Sequence, residues 1–150
     1  MRGLGACRRD LRMKATIKWL DEVSFEAESG SGHRLILDGA QAHGGRNAGL
    51  RPMEAVLIGV GACSAFDVIS ILRKARQPVS DCVVELEADR AEDPPRVFTR
   101  VRMRFVVTGK GLRPATVERA VALSAEKYCS ATAMLRPTVD IQHEVQIVEA

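Results

Sequence analysis

Pro52-Met53-Glu54-Ala55-Val56-Leu57-Ile58-Gly59-Val60-Gly61-Ala62-Cys63-Ser64-Ala65-Phe66-Asp67-Val68 is the stretch on which the fold turns. Proline suits the first position of a helix, because the N–H it lacks would be unpaired there anyway. Glu54 then falls in the first turn, where the helix dipole favours a carboxylate. The helix is expected to run to about Arg76, ending before Gln77-Pro78 with Arg73, Lys74 and Arg76 in its last turns. Between Glu54 and Asp67 it carries no charge. A helix that is apolar all round has to be covered on every side. One chain of 150 residues can hardly do that alone, so this stretch points to an intimate homodimer.

Upstream of that helix the pattern changes to strict alternation. Ala15, Ile17 and Trp19 share one face against Lys14, Thr16 and Lys18, and Val23, Phe25 and Ala27 alternate with Ser24, Glu26 and Glu28. Both segments read as half-buried antiparallel strands. Ser29-Gly30-Ser31-Gly32 is a turn, Arg34 to Leu37 a third short strand, and Ala40 to Gly49 a glycine-rich loop. Downstream, Cys82, Val84, Leu86 and Ala88 share a strand face. After Asp93-Pro94-Pro95, Val97, Thr99, Val101, Met103, Phe105 and Val107 share another, with Arg96, Arg100, Arg102 and Arg104 on the opposite side. A second, amphipathic helix begins near Pro114, and Val117, Ala120, Val121, Ser124 and Tyr128 recur on it at three- and four-residue steps. Ser130 to Leu135 continues as a short helical piece, and a last strand spans roughly 139–148. The order β-β-β-α-β-β-α-β is an α+β arrangement in which strands pair locally as hairpins.

Composition narrows the function classes. The chain is 46% hydrophobic and 27% charged, an ordinary globular mixture. Its net charge of +3 resides at one end: residues 1–12 hold four arginines against Asp10, and the remainder balances. No basic face for nucleic acid follows, and the strand arginines beside Glu85 and Glu87 read as cross-strand ion pairs. The longest apolar run, Ala55 to Ala62, falls short of the roughly 18 residues of a transmembrane segment, so no membrane is expected. Met1 to Cys7 lacks the apolar stretch of a secretory signal. Residues 1–12 read as a disordered or misassigned extension, and 13–150 as one domain. Four cysteines without a signal argue for the cytoplasm, where paired cysteines are redox-active more often than structural. No C-x-x-C occurs and His33, His43 and His143 are not at ligand spacing to any cysteine, so no metal and no resident cofactor is expected.

The chemistry rests on two cysteines. Cys63 is surrounded by Gly59, Gly61, Ala62, Ser64 and Ala65. Small neighbours let a second helix or a substrate reach the sulfur, and they equally suit plain tight packing. Cys129 ends Ser124-Ala125-Glu126-Lys127-Tyr128-Cys129, where Lys127 favours a thiolate and Glu126 opposes it. If the fold brings the two together they form a two-thiol redox site; if it does not, both are small buried residues. Asp67 lies one turn after Cys63 and would raise its pKa unless a cation stood between them. Glu54 precedes Cys63 by two and a half turns, on the opposite side of the helix. Cys82 reads as core, and Cys7 belongs to the extension.

With these residues in place, the chain resembles the OsmC/Ohr family and specifically its YhfA-like branch. The stretches that carry the resemblance are Lys18-Trp19, Ser31-Gly32-His33, Pro52-Met53-Glu54, Gly61 to Val68 and Ser124 to Ser130, spread over Met13 to Ala150. The resemblance implies an intertwined homodimer in which an antiparallel sheet wraps around two long helices. It implies a site at the dimer interface with Cys63 as the peroxidatic thiol and Cys129 as the resolving one. It also implies small organic hydroperoxides as substrates and a lipoyl or other dithiol as reductant. Active members carry asparagine-proline-glutamate at the helix start, which places Met53 at the glutamate position, one residue before Glu54. Arg34 and Arg51 are the candidate activating cations, with Glu54 and Asp67 as further supporting candidates.

The expected function is thiol-dependent reduction of organic hydroperoxides through a Cys63/Cys129 sulfenic acid–disulfide cycle. The alternative is a small-molecule-binding or redox-sensing module on the same dimer, motivated by Met53.

Overall fold

In the computed structural model, which describes residues 12–150, the chain forms two compact units, one ending at Ala55 and the other spanning Val56–Ala150. The expected N-terminal extension lies, apart from Arg12, outside the described residues. In the first unit the alternating segments become β1 (Ala15–Asp21), β2 (Ser24–Ser29) and β3 (Arg34–Leu37), an antiparallel sheet in the order β1-β2-β3. The turn into β3 uses Gly32 at φ 87°, a conformation that costs glycine nothing. Sequence alternation predicts one buried face, yet both faces of β1 are exposed, and Trp19 retains 65% of its surface.

The loop after β3 is organised by Asp38, a residue that periodicity does not single out. Its side chain is buried and accepts backbone N–H groups from Gly39 (2.8 Å), Arg46 (3.0 Å) and Ala48 (3.0 Å). The donors at Ala48 and Arg46 hold its carboxyl below the usual carboxylate range. That loop leads into α1 (Pro52–Lys74). Pro52 opens the helix and the Glu54 carboxylate accepts the Arg51 N–H at 3.0 Å, half of a capping box. The helix ends in a Schellman turn: Arg76 takes φ 56°, its N–H donates to the Arg73 carbonyl and the Gln77 N–H to that of Leu72.

In the second unit β4 (Val79–Arg90), β5 (Phe98–Gly109) and β6 (Asp140–Glu149) form a sheet with β5 central. β4 and β5 pair as the expected hairpin, but β6 runs parallel to β5. The long connection through α2 (Pro114–Leu123) and α3 (Ser130–Leu135) is a crossover, which returns the chain in the same direction. One face of β5 supplies the buried Val101, Met103, Phe105 and Val107, and Val60, Val68 and Leu72 of α1 with Val117, Ala120 and Val121 of α2 complete the unit's core. Gly61 permits this packing: a Cβ there would lie 2.5 Å from Cδ1 of Leu86 on β4. The outer face of β5 carries the expected ion pairs, Arg104 with Glu85 (2.9 Å) and Arg102 with Glu87 (3.6 Å), and adds Arg102 with Asp89 (2.9 Å) and Arg100 with Asp140 (3.1 Å).

The opposite side of α1 is bare. Phe66 is 74% exposed and Ile58 52%, with Val56, Gly59 and Ala62 also exposed. Counting only unbroken apolar runs set membrane crossing aside, but over its whole length α1 is long and apolar enough to cross a membrane, a criterion that a core helix of a soluble protein also meets.

Candidate active site

The second unit brings Cys63 and Cys129 together. α1 presents Cys63, half-buried, and the neighbouring Ser64, which is fully buried. Facing them, the chain leaving α2 widens into a π-helical turn, Ser124–Tyr128, and then stops. Single π turns of this kind recur at functional sites. The Cys129 N–H closes the turn on the Ser124 carbonyl at 2.9 Å, and Cys129 itself is extended (φ −72°, ψ 109°) as the cap of α3.

The surroundings of Cys129 are unusual for a buried thiol. Its sulfur, on a residue only 2% exposed, stands where a serine or threonine oxygen would cap a helix and accepts the Thr132 N–H at 3.4 Å. Ser64 Oγ donates to the same sulfur at 3.2 Å. The Thr132 hydroxyl is buried without another partner and adds to the field favouring negative charge there. Burial alone would raise the Cys129 pKa; the donors from Ser64 and Thr132, with help from Cys63, outweigh it and bring it below the ordinary value. Cys63 moves the other way. Burial pushes its thiol up, the nearby Cys129 sulfur adds to this, and the amides of Ala131 and Ser130 only partly compensate. The two cysteines thus lie side by side, Cys63 being next in the chain to the Ser64 that bonds the Cys129 sulfur, and their thiols are shifted in opposite directions.

The remaining candidates are placed as follows. Asp67 Oδ2 lies 3.2 Å from Ser124 Oγ, so the carboxylate is hydrogen-bonded to the second helical segment. Lys127, the cation expected to favour a Cys129 thiolate, has its Nζ over the Tyr128 ring at 5.3 Å. Arg34, Arg51 and Glu54 belong to the first unit. Arg34 pairs with Glu28 (3.3 Å) and Glu26 (3.9 Å), and the Arg51 guanidinium with the Gly49 carbonyl (3.1 Å) and Asn47 Oδ1 (3.0 Å). Cys82 is half-buried on β4, its thiol raised by burial and by Asp81. A groove of about 410 Å³ lies over β4, β5 and β6 between residues such as Glu85, Arg104 and Glu144, and no cysteine lines it.

Three contributors escaped the sequence reading: Ser64, Thr132 and Ser124. Ser64 counted there only as a small neighbour of Cys63. Its hydroxyl finds a partner 65 residues away, and no local pattern encodes such a pairing.

Two adjacent thiols, one partly open and one buried among hydrogen-bond donors, define a dithiol protein. Residues 44–144 match the family model described as OsmC-like protein. The chain is 49% identical over 141 residues to Protein YhfA of Escherichia coli strain K12, covering 92% of this chain and all of that one. The fold matches the crystal structure of a hypothetical protein from Aquifex aeolicus at 29% identity and TM-score 0.82, over 93% of this chain and 98% of that one. It also matches the organic hydroperoxide resistance protein OhrB of Bacillus subtilis at 19% identity and TM-score 0.63, over 90% and 98% of the two chains, a likeness of fold alone. The chain therefore belongs to the OsmC-like protein family and is similar to YhfA within it.

Proposed function

We propose that the protein reduces small organic hydroperoxides with its two thiols, as a homodimer in the cytoplasm. The observation that carries this reading is the meeting of the two cysteine-bearing segments: Ser64, next in the chain to Cys63, donates to the Cys129 sulfur at 3.2 Å. Cys63, the more open sulfur, attacks the terminal peroxide oxygen as a thiolate. An S–O bond forms, the O–O bond breaks, and the alkoxide leaves and takes up a proton to become the alcohol. Cys63 is now a sulfenic acid, and Cys129 condenses with it to give the disulfide and water. An external dithiol, such as a lipoyl group, reduces the disulfide, so no resident cofactor is needed.

The test is to mix reduced protein with one equivalent of cumene hydroperoxide, then count thiols and map peptides within seconds. A Cys63–Cys129 disulfide is the expected product. Unchanged thiols would sink the reading and favour a binding or sensing module. The partial burial of Cys63 counts on that side, because it pushes the thiol up and the thiolate is the nucleophile.

The exposed apolar face of α1 supports the dimer. An uncovered stripe with Phe66 and Ile58 on it is the kind of patch that marks an interface. Sedimentation equilibrium is expected to give twice the monomer mass, and Phe66→Asp to shift it toward one. A monomeric parent protein would remove the dimer from the proposal.

A further inference from the structure

Resting on the dithiol reading, we propose that Ser64 is a positioning residue for the second step of the cycle: its hydroxyl holds the resolving sulfur of Cys129 as a thiolate beside Cys63. The geometry behind this is a converging set of donors. Ser64 Oγ approaches Cys129 Sγ at 3.2 Å from α1, and the Thr132 N–H approaches it at 3.4 Å from α3. Ser64 is fully buried and Cys129 2% exposed, so water does not compete for the sulfur. A buried neutral thiol has little use for two donors, because sulfur in an S–H group is a weak acceptor. A thiolate accepts them well, and hydrogen bonds to an ionised group are the stronger kind.

The donors act on Cys129 and not on the sulfur that meets peroxide. Resolution is therefore the step they serve. The Cys129 thiolate attacks the sulfur of the Cys63 sulfenic acid. The S–S bond forms, the S–O bond breaks, and hydroxide departs and takes a proton from solvent to become water. The oxidising equivalent comes from the hydroperoxide consumed in the first step. A ready thiolate shortens the life of the sulfenic acid, which a second peroxide would otherwise convert irreversibly to sulfinic acid. Ser64 thus protects Cys63 from over-oxidation.

Other charged groups on the surrounding elements are engaged elsewhere or exposed. Asp67 is hydrogen-bonded to Ser124, Lys127 lies over Tyr128, Glu126 is exposed, and the Arg136 guanidinium reaches the carbonyls of Ala125 and Glu126. Cys63, next in the chain to Ser64, is the titratable group beside Cys129.

The experiment is stopped-flow oxidation of parent and Ser64→Ala protein by cumene hydroperoxide across a pH series. Peroxide loss reports the first step and disulfide formation the second. Ser64→Ala removes a single oxygen, and a thermal melt checks that the variant folds. The first step is expected to change less than about twofold. The pH midpoint of the second step is expected to rise by about one unit, the scale of one hydrogen bond. The tenfold loss of thiolate is partly offset by the greater nucleophilicity of the more basic sulfur, so below the midpoint the second step slows about three- to fourfold. Under excess peroxide the variant accumulates sulfinic acid at Cys63. An unchanged midpoint with no extra sulfinic acid would overturn the role of Ser64 and leave the peroxidase reading intact. If the parent consumes no peroxide, that reading fails, and the Cys129 thiolate is followed instead by its ultraviolet absorbance in Cys63→Ser protein. A titration that Ser64→Ala moves to higher pH supports the assignment, and one that stays put overturns it.

Discussion

Cys63→Ser protein is expected to consume hydroperoxide no faster than a protein-free control, with dithiol reductant present in excess. The reason is electronic. Serine keeps the size and the helix position, but an alcohol at neutral pH supplies almost no alkoxide and forms no sulfenic acid, so neither step of the cycle can begin. Cys129 does not replace Cys63, because its sulfur is buried beneath Ser64 and Thr132. Peroxide loss in a coupled assay checks the first point, and thiol counting after peroxide checks the second: Cys129 should remain reduced. Turnover retained by Cys63→Ser would place the chemistry elsewhere. The same variant separates reactivity from packing, since its melting temperature should stay close to that of the parent.

The largest loss of stability is expected from Phe105→Ala. Phe105 is fully buried on the central strand β5, paired with Val84 on β4 and Val145 on β6. Its ring stacks against His143 at 6.2 Å between centroids with 19° between planes. Removing a buried phenylalanine costs about 3–5 kcal/mol, the lost transfer energy plus the cavity. Against a total stability of about 5–15 kcal/mol this is roughly a fifth or more. In a chain of this length it corresponds to a melting temperature lower by roughly 6–20 °C. Arg104→Ala, at the residue just before it on the same strand, removes exposed ion pairs with Glu85 and Glu144 and should cost less than about 1 kcal/mol. Denaturant titration of both variants tests the contrast. Comparable losses would mean that the outer charge lattice matters as much as the core.

Much of this fold is legible in the sequence. The helix from Pro52 is announced by its proline, its first-turn Glu54 and the basic residues before Gln77-Pro78, and the structure ends it at Lys74, two residues short of the expectation. Alternation located the strands, because side chains on a strand point to opposite faces with period two. It failed for β1, where apolar Ile17 and Trp19 stay exposed. Alternation records which face needs cover and not whether this chain provides it. The direction of β6 was also out of reach: the expectation of local hairpins holds where a loop is short, and the helical connection from β5 makes the pair parallel.

The same division runs through the site. By itself the sequence determined which residues are thiols, that Cys63 sits among small neighbours in an uncharged helix, and that Cys129 ends a helical stretch. These follow from local composition and periodicity, which act over a few residues. Only the tertiary structure decided which donors each sulfur meets. It directed the Ser64 hydroxyl and the Thr132 amide to Cys129, left Cys63 raised by burial, and tied Asp67 to Ser124. The physical reason is distance along the chain. Ser64 and Cys129 are 65 residues apart, and the charge a thiol carries depends on the dipoles and burial that packing places around it.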